Sequence, residues 1–193
     1  MLIVEGPDLV GKTTLCLELI RRLNADGLKH VYRHLTVLPK GWDFYGDYVP
    51  HIARPVVQDR FHMSELVYGR AVRGSTNITD DMLRLIEARV ALAAGFTVVV
   101  TADWKVLEIL WGRKQREEMF SLEMVQQVNK LYIQLVEGRF RHVSFDMHYH
   151  LTLSDMNLFD VTMPTQKEDF VERVIAAYEK RYIDVENLEP CCK

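Results

Sequence analysis

The first residues whose types and spacing could do chemistry lie near the start of the chain. The pattern G-x-x-x-x-G-K-[ST] of a phosphate-binding loop is completed at Gly6, Gly11, Lys12 and Thr13. In such a loop, backbone N–H groups surround a phosphate, the lysine reaches the β- and γ-phosphates, and the hydroxyl binds Mg²⁺. The predicted nucleotide-binding residues are Gly6, Pro7, Asp8, Leu9, Val10, Gly11, Lys12, Thr13 and Thr14.

The elements on either side of this loop fit the same chemistry. Residues 2–4 form a short apolar run that predicts a buried strand. Leu15, Leu19 and Leu23 lie on one stripe of a helix predicted over residues 13–24. The N-terminus of that helix adds its partial positive charge to the phosphate site. Strand, loop and helix therefore follow one another in the order that phosphate binding requires.

Asp59 and Arg60 form a second charged group, directly after an apolar strand predicted at residues 55–58. Ligands of parallel sheets bind at the carboxyl ends of the strands, so both side chains should lie at the rim of the site. An acidic group there can hold Mg²⁺, and Thr13 and Asp59 are the predicted metal residues. An arginine can bind a phosphate through two hydrogen bonds. The alternative is a structural Asp–Arg ion pair.

A third candidate is the charged segment WGRKQREEMF at residues 111–120, which contains Arg113 and Arg116. We predict that it is a lid. An arginine that closes over the transferred phosphate stabilises the charge that builds there, and closure excludes water. The alternative is a solvated helix face on which Glu117 and Glu118 are the local partners of the arginines.

Strands and helices alternate along the whole chain. The predicted strands lie near residues 2–4, 30–38, 55–58, 96–102 and 142–154, and the main helices near 13–24, 80–94, 104–111, 121–140 and 165–181. This alternation predicts an α/β fold with a parallel sheet covered by helices on both faces. No linker or internal repeat interrupts the pattern, so we expect a single domain over residues 1–193, with the lid at about 111–120.

Composition narrows the class of protein. The 193 residues carry a formal net charge of −3, so no globally basic nucleic-acid binder is indicated, although a local basic groove is compatible with it. No apolar run approaches the ~18 residues that span a bilayer. The cysteines, Cys16, Cys191 and Cys192, form no disulfide framework, so we expect a cytoplasmic protein. The role of the terminal pair stays open.

Two motifs resemble those of the thymidylate kinase family of P-loop nucleoside monophosphate kinases. EGPDLVGKTT resembles the family pattern E-G-x-D/E-x-x-G-K-x-T, and DRFHMSELVY, from Asp59 to Tyr68, resembles D-R-[YFH]-x-x-S-x-x-A-[YF]. The chain is similar to a divergent short member of viral or phage type. The resemblance implies a three-layer P-loop NTPase fold with an arginine-bearing lid, and an enzyme that uses ATP and Mg²⁺.

The resemblance also implies roles for single residues. Asp8 would face the deoxyribose 3′-hydroxyl and the metal, Arg60 would hold the acceptor monophosphate, and Tyr68 would lie under the sugar and disfavour a 2′-hydroxyl. Leu9 stands where some members have a catalytic arginine, which implies that the lid supplies arginine instead. The implied catalytic residues are Asp8, Lys12, Arg60, Arg113 and Arg116.

The acceptor side departs from the family pattern. A helix with a stacking phenylalanine and a second phosphate-binding arginine is missing, and an aromatic-rich loop at residues 39–55 takes its place. Glu65 stands where some members contact the base edge; an ionised carboxylate only accepts hydrogen bonds, so it suits an amino group better than a thymine carbonyl. The candidate substrate residues are Asp8, Trp42, Tyr45, Asp59, Arg60, Ser64, Glu65, Tyr68 and Arg70, with Phe44, Arg54 and Arg73 as further options for stacking or phosphate binding.

Three functions follow from these residues. The first is Mg²⁺/ATP-dependent phosphorylation of a deoxypyrimidine nucleoside monophosphate, dTMP or a modified relative. The second is a kinase that acts on a hydroxyl, either a deoxynucleoside kinase or a 5-hydroxymethylpyrimidine kinase acting on nucleotide or DNA, which needs a carboxylate base. The third is a non-kinase P-loop switch, although the string at residues 129–132 lacks the Asp of the guanine-binding N-K-x-D pattern.

The expected partner is a small nucleotide, with nucleic acid as the alternative, and no membrane partner is expected. A homodimer through the apolar face of residues 80–94 is a further hypothesis. The histidines are interpreted as core or surface residues, and His148 and His150 have no ligand set that would favour a metal site. His62, three residues after Asp59, is the one histidine expected to be able to touch a substrate.

Overall fold

The computed structural model describes residues 1–25, 27, 29–35, 46, 49–52, 55–113, 120–138, 149–154 and 170–180. Within these residues lies a five-stranded sheet in which every pairing is parallel, with the order β2-β3-β1-β4-β5. The strands are β1 (Leu2–Glu5), β2 (Val31–His34), β3 (Val56–Asp59), β4 (Phe96–Ala102) and β5 (Tyr149–Leu153). The carboxyl ends of β1 and β3 are neighbours, since Val4 pairs with Asp59.

The helices connect these strands across the two faces of the sheet. They are α1 (Lys12–Ala25), α2 (His62–Tyr68), α3 (Asp80–Leu92), α4 (Trp104–Arg113), α5 (Leu122–Val136) and α6 (170–180), with a π-helical turn at Gly69–Arg73 and a 3-10 turn at Val49–His51. Thr79 and Ser121 cap α3 and α5 by accepting backbone N–H groups. Helix α5 ends earlier than predicted, just before Gly138 at φ 69.

Side chains of β1 alternate between two cores. Leu2 and Val4 pack with buried residues of α1, such as Leu19, whereas Ile3 packs with Ile86 of α3 and Tyr132 of α5. A strand that buries both faces must be covered on both sides. The described part of the chain therefore has three layers, helices over sheet over helices, with the site at the carboxyl edge.

The apolar face of α3 is core. Leu83, Ile86 and Val90 are buried against the sheet, so this face is occupied within the chain, and a homodimer stays a prediction. Periodicity marks an apolar face but does not say what covers it. The outward side of α3 includes Leu92, which is 75% exposed. No helix within the described ranges is both long and apolar enough to span a membrane.

Candidate functional site

The phosphate-binding loop lies between the end of β1 and the start of α1. Gly6 has φ 147, and a Cβ at this position would collide with the carbonyl oxygen of Val100 on the neighbouring strand β4. Leu9 at φ 75 and Gly11 at φ 78 are left-handed, which curls the backbone back toward Lys12. Only glycine fits at position 6, because β4 passes directly behind it.

Lys12 is held inside this loop. Its side chain is buried, and Nζ donates a hydrogen bond to the carbonyl of Pro7. Burial, followed by the effect of the nearby Arg60, lowers the pKa of Lys12 to about 8, against the opposing effect of Asp8. A phosphate in the loop would favour the charged ammonium, so the lysine is placed for an anion.

Thr13 and Asp59 meet beside the loop, although they are far apart in sequence. Thr13 Oγ1 donates to Asp59 Oδ2 over 2.6 Å, and the Tyr32 hydroxyl donates to the same oxygen over 3.0 Å. His34 Nδ1 lies 3.2 Å from that oxygen. Burial, followed by the effect of Asp59, raises the pKa of Tyr32 to about 12, so Tyr32 is a neutral donor at pH 7.

The residues present fit the predicted Mg²⁺. Asp59 Oδ1 is buried and has no hydrogen-bond partner among the described residues, and the Thr13 hydroxyl is a second hard oxygen ligand. The described ranges contain no group of three or more His, Cys, Asp or Glu side chains that could hold a metal alone. This donor set suits an Mg²⁺ ion that keeps most of its ligands from water and phosphate.

Asp8, Arg60 and Tyr68 form the second part of the site. The Arg60 guanidinium donates to Asp8 Oδ1 and lies 4.8 Å from the centre of the Tyr68 ring, whose hydroxyl donates to Asp8 Oδ2 over 2.9 Å. Burial by itself raises the pKa of Asp8, but Arg60 and then Lys12 bring it below its usual value. Arg60 Nε is buried without a hydrogen-bond partner in the described part of the chain.

Two motifs are thus brought together in one site. Asp8 belongs to the phosphate loop, whereas Arg60 and Tyr68 belong to the motif after β3. The site combines an ionised carboxylate, a guanidinium with an unused N–H and an aromatic ring. These groups can accept from a hydroxyl, bind a phosphate and pack against a sugar.

Sequence reasoning missed Glu5, the last residue of β1. Glu5 is fully buried and accepts hydrogen bonds from the Phe61 N–H at 2.8 Å, the Ser64 hydroxyl at 2.5 Å and the Tyr132 hydroxyl at 3.0 Å. A charged residue that closes an apolar strand was the available signal. Ser64, predicted to contact substrate, has its hydroxyl bonded inside the protein, and its contact with substrate stays a prediction.

Glu65 has a partner that the sequence did not indicate. Its carboxylate pairs with Arg73 and accepts the Asn77 N–H at 3.3 Å. The π-helical turn brings Arg73 back over α2, and a Cβ at Gly69 would lie 2.9 Å from the Arg73 guanidinium. Contact between Glu65 and a base edge stays a prediction, as does a role for Arg70, which lies half-buried in the same turn.

The interpretation of His62 as a substrate contact is wrong. Its side chain is fully buried between α2 and α3, where Nε2 contacts Glu87.

Asn129 of α5 bonds both the N–H and the carbonyl of Ala102 at the end of β4, over 3.0 and 2.7 Å. Its amide is therefore occupied within the protein, which does not favour a guanine-binding use of residues 129–132.

The predicted lid is described at its two ends. Arg113 is exposed at the end of α4, and the Phe120 ring lies 6.0 Å from the Tyr68 ring. Phe120, the last residue of the segment, therefore lies beside Tyr68. Other predicted residues lie outside the described ranges, and their positions stay predictions: Trp42, Phe44, Tyr45, Arg54, Arg116, Glu117, Glu118, His148, Cys191 and Cys192.

Comparison with known proteins places this architecture. No protein-family model and no curated protein matches the sequence. The structure is similar to that of the YorR protein of Bacillus subtilis in complex with phosphorylated GDP, with a TM-score of 0.67 and 19% identity over 94% of this chain and 96% of that chain. It is also similar to a gluconokinase of Sinorhizobium meliloti 1021, with a TM-score of 0.51 and 13% identity over 97% and 94% of the two chains. The chain has the α/β fold of these proteins, as its sequence predicted.

Proposed function

We propose that the protein transfers a phosphoryl group from Mg-ATP to a deoxypyrimidine nucleoside monophosphate, dTMP or a modified relative. The observation that carries the proposal is the pairing of two anion sites at one sheet edge, Lys12 in the loop and Arg60 beside it. The similar structures include a kinase and a protein bound to a phosphorylated nucleotide, which supports kinase chemistry in general. The base is inferred from the motif resemblance.

The loop is the proposed donor side. Lys12 would bind the β- and γ-phosphates of ATP, and the loop N–H groups would bind the same oxygens. Thr13 and Asp59 would hold Mg²⁺, which when bound neutralises charge on the phosphates. Tyr32 keeps Asp59 oriented by its hydrogen bond.

The trio of Asp8, Arg60 and Tyr68 is the proposed acceptor side. The Arg60 side chain, which is 19% exposed, would bind the acceptor phosphate, and the ionised Asp8 would accept from the 3′-hydroxyl of the sugar. A phosphate acceptor is already nucleophilic at neutral pH, so positioning and charge stabilisation suffice. Arg113 and Arg116 of the lid would add positive charge when the segment closes.

A second candidate is phosphorylation of a hydroxyl, in a deoxynucleoside or a 5-hydroxymethylpyrimidine of nucleotide or DNA. The same Asp8 carboxylate lies beside Arg60 and would take the proton of such a hydroxyl, although its lowered pKa makes it a weak base. Because Glu65 is paired with Arg73, its charge does not indicate which base the site would bind.

One experiment separates the two candidates. The purified protein is given ATP, Mg²⁺ and, side by side, dTMP, dUMP, dCMP, 5-hydroxymethyl-dUMP, the matching nucleosides and single-stranded DNA that contains the modified base, with products identified by mass spectrometry. We expect diphosphates from the monophosphates. Products only from nucleosides, from 5-hydroxymethyl-dUMP or from DNA, with none from dTMP, dUMP or dCMP, would establish the second candidate, and no product from any acceptor would contradict both. Lys12→Ala is the control and should form no product.

A further inference from the structure

The backbone of Arg60 is in a conformation that its side chain disfavours. Its φ is 65, in the left-handed region where a Cβ crowds the following carbonyl. Such conformations persist where surrounding contacts over-determine them, and they cluster at functional sites. The contacts around Arg60 therefore show what holds it.

Three hydrogen bonds from buried groups hold this turn. The Arg60 N–H donates to the carbonyl of Val4 over 3.0 Å, and Gln58 Nε2 donates to the Arg60 carbonyl over 3.0 Å. The next N–H along the chain, that of Phe61, donates to Glu5 Oε1 over 2.8 Å. Gln58 and Glu5 are fully buried. Both peptide groups of Arg60 are thus fixed from outside the turn.

Glu5 does a second task for the same segment. Phe61 is the N-cap of α2 and makes no side-chain cap bond, so the first turn of the helix lacks a local acceptor. Glu5 of β1 replaces it by accepting from the Phe61 and Ser64 N–H groups. Its other oxygen accepts from the Ser64 and Tyr132 hydroxyls, which fixes the carboxylate against α5.

We propose that Glu5 and Gln58 are positioning residues that aim the Arg60 guanidinium at the acceptor phosphate before it binds. The inference rests on the proposed function of Arg60. With the backbone held left-handed, the side chain extends along the Tyr68 ring toward Asp8. We call the hydrogen bonds that Glu5 and Gln58 make to this turn the clamp. Without the clamp, residue 60 would relax to negative φ and the guanidinium would leave this position. The ligand class is a phosphate monoester.

The test compares substitutions that keep the length of the side chain at positions 5 and 58. Glu5→Met and Gln58→Met remove the hydrogen bonds, whereas Glu5→Gln keeps an oxygen for the Phe61 N–H and leaves an NH₂ that the two hydroxyls can accept. Calorimetric titration with dTMP should give roughly tenfold weaker binding for each Met variant and near wild-type binding for Glu5→Gln. Binding of a non-hydrolysable ATP analogue should change by less than about twofold.

The background of Arg60→Ala separates positioning from a general structural effect. If Glu5 and Gln58 act through the guanidinium, Gln58→Met should weaken dTMP binding no further once Arg60 is already Ala. Equal losses in both backgrounds would overturn the proposal. Gln58→Met is the second variant should Glu5→Met fail to fold.

A readout without substrate keeps this inference apart from the proposed function. The buried Arg60 Nε–H should give an NMR signal that is lost in Arg60→Ala and exchanges slowly with water. Gln58→Met and Glu5→Met should speed that exchange roughly tenfold, and Glu5→Gln should not. An unchanged exchange rate in both Met variants would overturn the clamp even if dTMP binds. If dTMP does not bind the wild type but exchange accelerates, the acceptor assignment fails and the clamp stands.

Discussion

The Tyr68 hydroxyl donates a hydrogen bond to Asp8 Oδ2 over 2.9 Å, and the two residues are sixty positions apart in the chain. Asp8 lies in the loop after β1, and Tyr68 lies at the end of α2. The bond therefore ties the loop after β1 to the end of α2, and burial raises the pKa of Tyr68 well above its usual value, so the hydroxyl stays a donor.

Tyr68→Phe removes this bond and keeps the ring. We expect acceptor binding to weaken by roughly fivefold, and the free energy of unfolding to fall by about 1 kcal/mol, because Asp8 loses a donor. Titration with dTMP and chemical denaturation measure the two effects. Tyr178→Phe is the matched control: its hydroxyl contacts the Met1 amine and His30 rather than the site. Equal loss of dTMP binding in both variants would contradict the prediction.

Nucleotide binding should take up a proton at alkaline pH. The pKa of Lys12 is about 8 in the ligand-free protein, and phosphates favour its charged form. At pH about 8.5, binding should take up roughly three-quarters of a proton, and at pH about 6.5 almost none. Calorimetry in buffers of different ionisation enthalpy measures the uptake. The same uptake in Lys12→Met would show that another group is responsible.

The left-handed backbone of Arg60 predicts an unusual order of stability. Arg60→Gly should be more stable than Arg60→Ala by roughly 1 kcal/mol, because glycine adopts positive φ without a Cβ clash. Arg84, exposed within α3, is the control, and there glycine should be less stable than alanine by about 1 kcal/mol. Denaturation of all four variants provides the measurement. If alanine is more stable than glycine at position 60 as well as at position 84, the prediction is wrong.

The metal proposal predicts different behaviour for two changes at Thr13. Thr13→Ser keeps the hydroxyl that bonds Asp59, whereas Thr13→Val removes it and keeps the shape. We expect Thr13→Val to raise the Mg²⁺ concentration for half-maximal activity roughly tenfold, and Thr13→Ser to leave it within about twofold. Activity is measured against Mg²⁺ at fixed ATP. If Thr13→Val and Thr13→Ser reach half-maximal activity at the same Mg²⁺ concentration, Thr13 is not a ligand of the metal.

Asp8 should contribute a pH-dependent part of the stability. Its folded pKa lies below the usual 3.8, so its ion pair stabilises the folded protein above pH 3.8, and that contribution is lost as the pH falls through the folded value. Asp8→Asn should therefore cost about 1 kcal/mol at neutral pH and less as the pH falls below 3.8. Chemical denaturation at neutral pH and at a pH below 3.8 measures the two costs. Asp81 forms an exposed surface pair with Arg84, so the control Asp81→Asn should change the free energy of unfolding little at either pH.

The contacts of single residues show where sequence reasoning stopped. Glu65 was expected at the base edge and its contact with a base stays a prediction, but the sequence did not indicate that the π-helical turn brings Arg73 to it. His62 was expected near substrate, but the rotation of α2 turns it toward Glu87. A helix has one apolar period whichever neighbour covers it, so periodicity does not predict which partner a polar side chain meets.

The sequence by itself determined the phosphate loop and the parallel α/β architecture. Both rest on local physics: glycines that permit positive φ at fixed spacing, and apolar periods that distinguish strands from helices. Only the tertiary structure decided which side chains of the two motifs contact one another. The trio of Asp8, Arg60 and Tyr68, and the buried Glu5 that joins β1, α2 and α5, are contacts between residues far apart in the chain. Such contacts form because parallel strands bring their carboxyl ends to one edge, where buried polar groups must find partners.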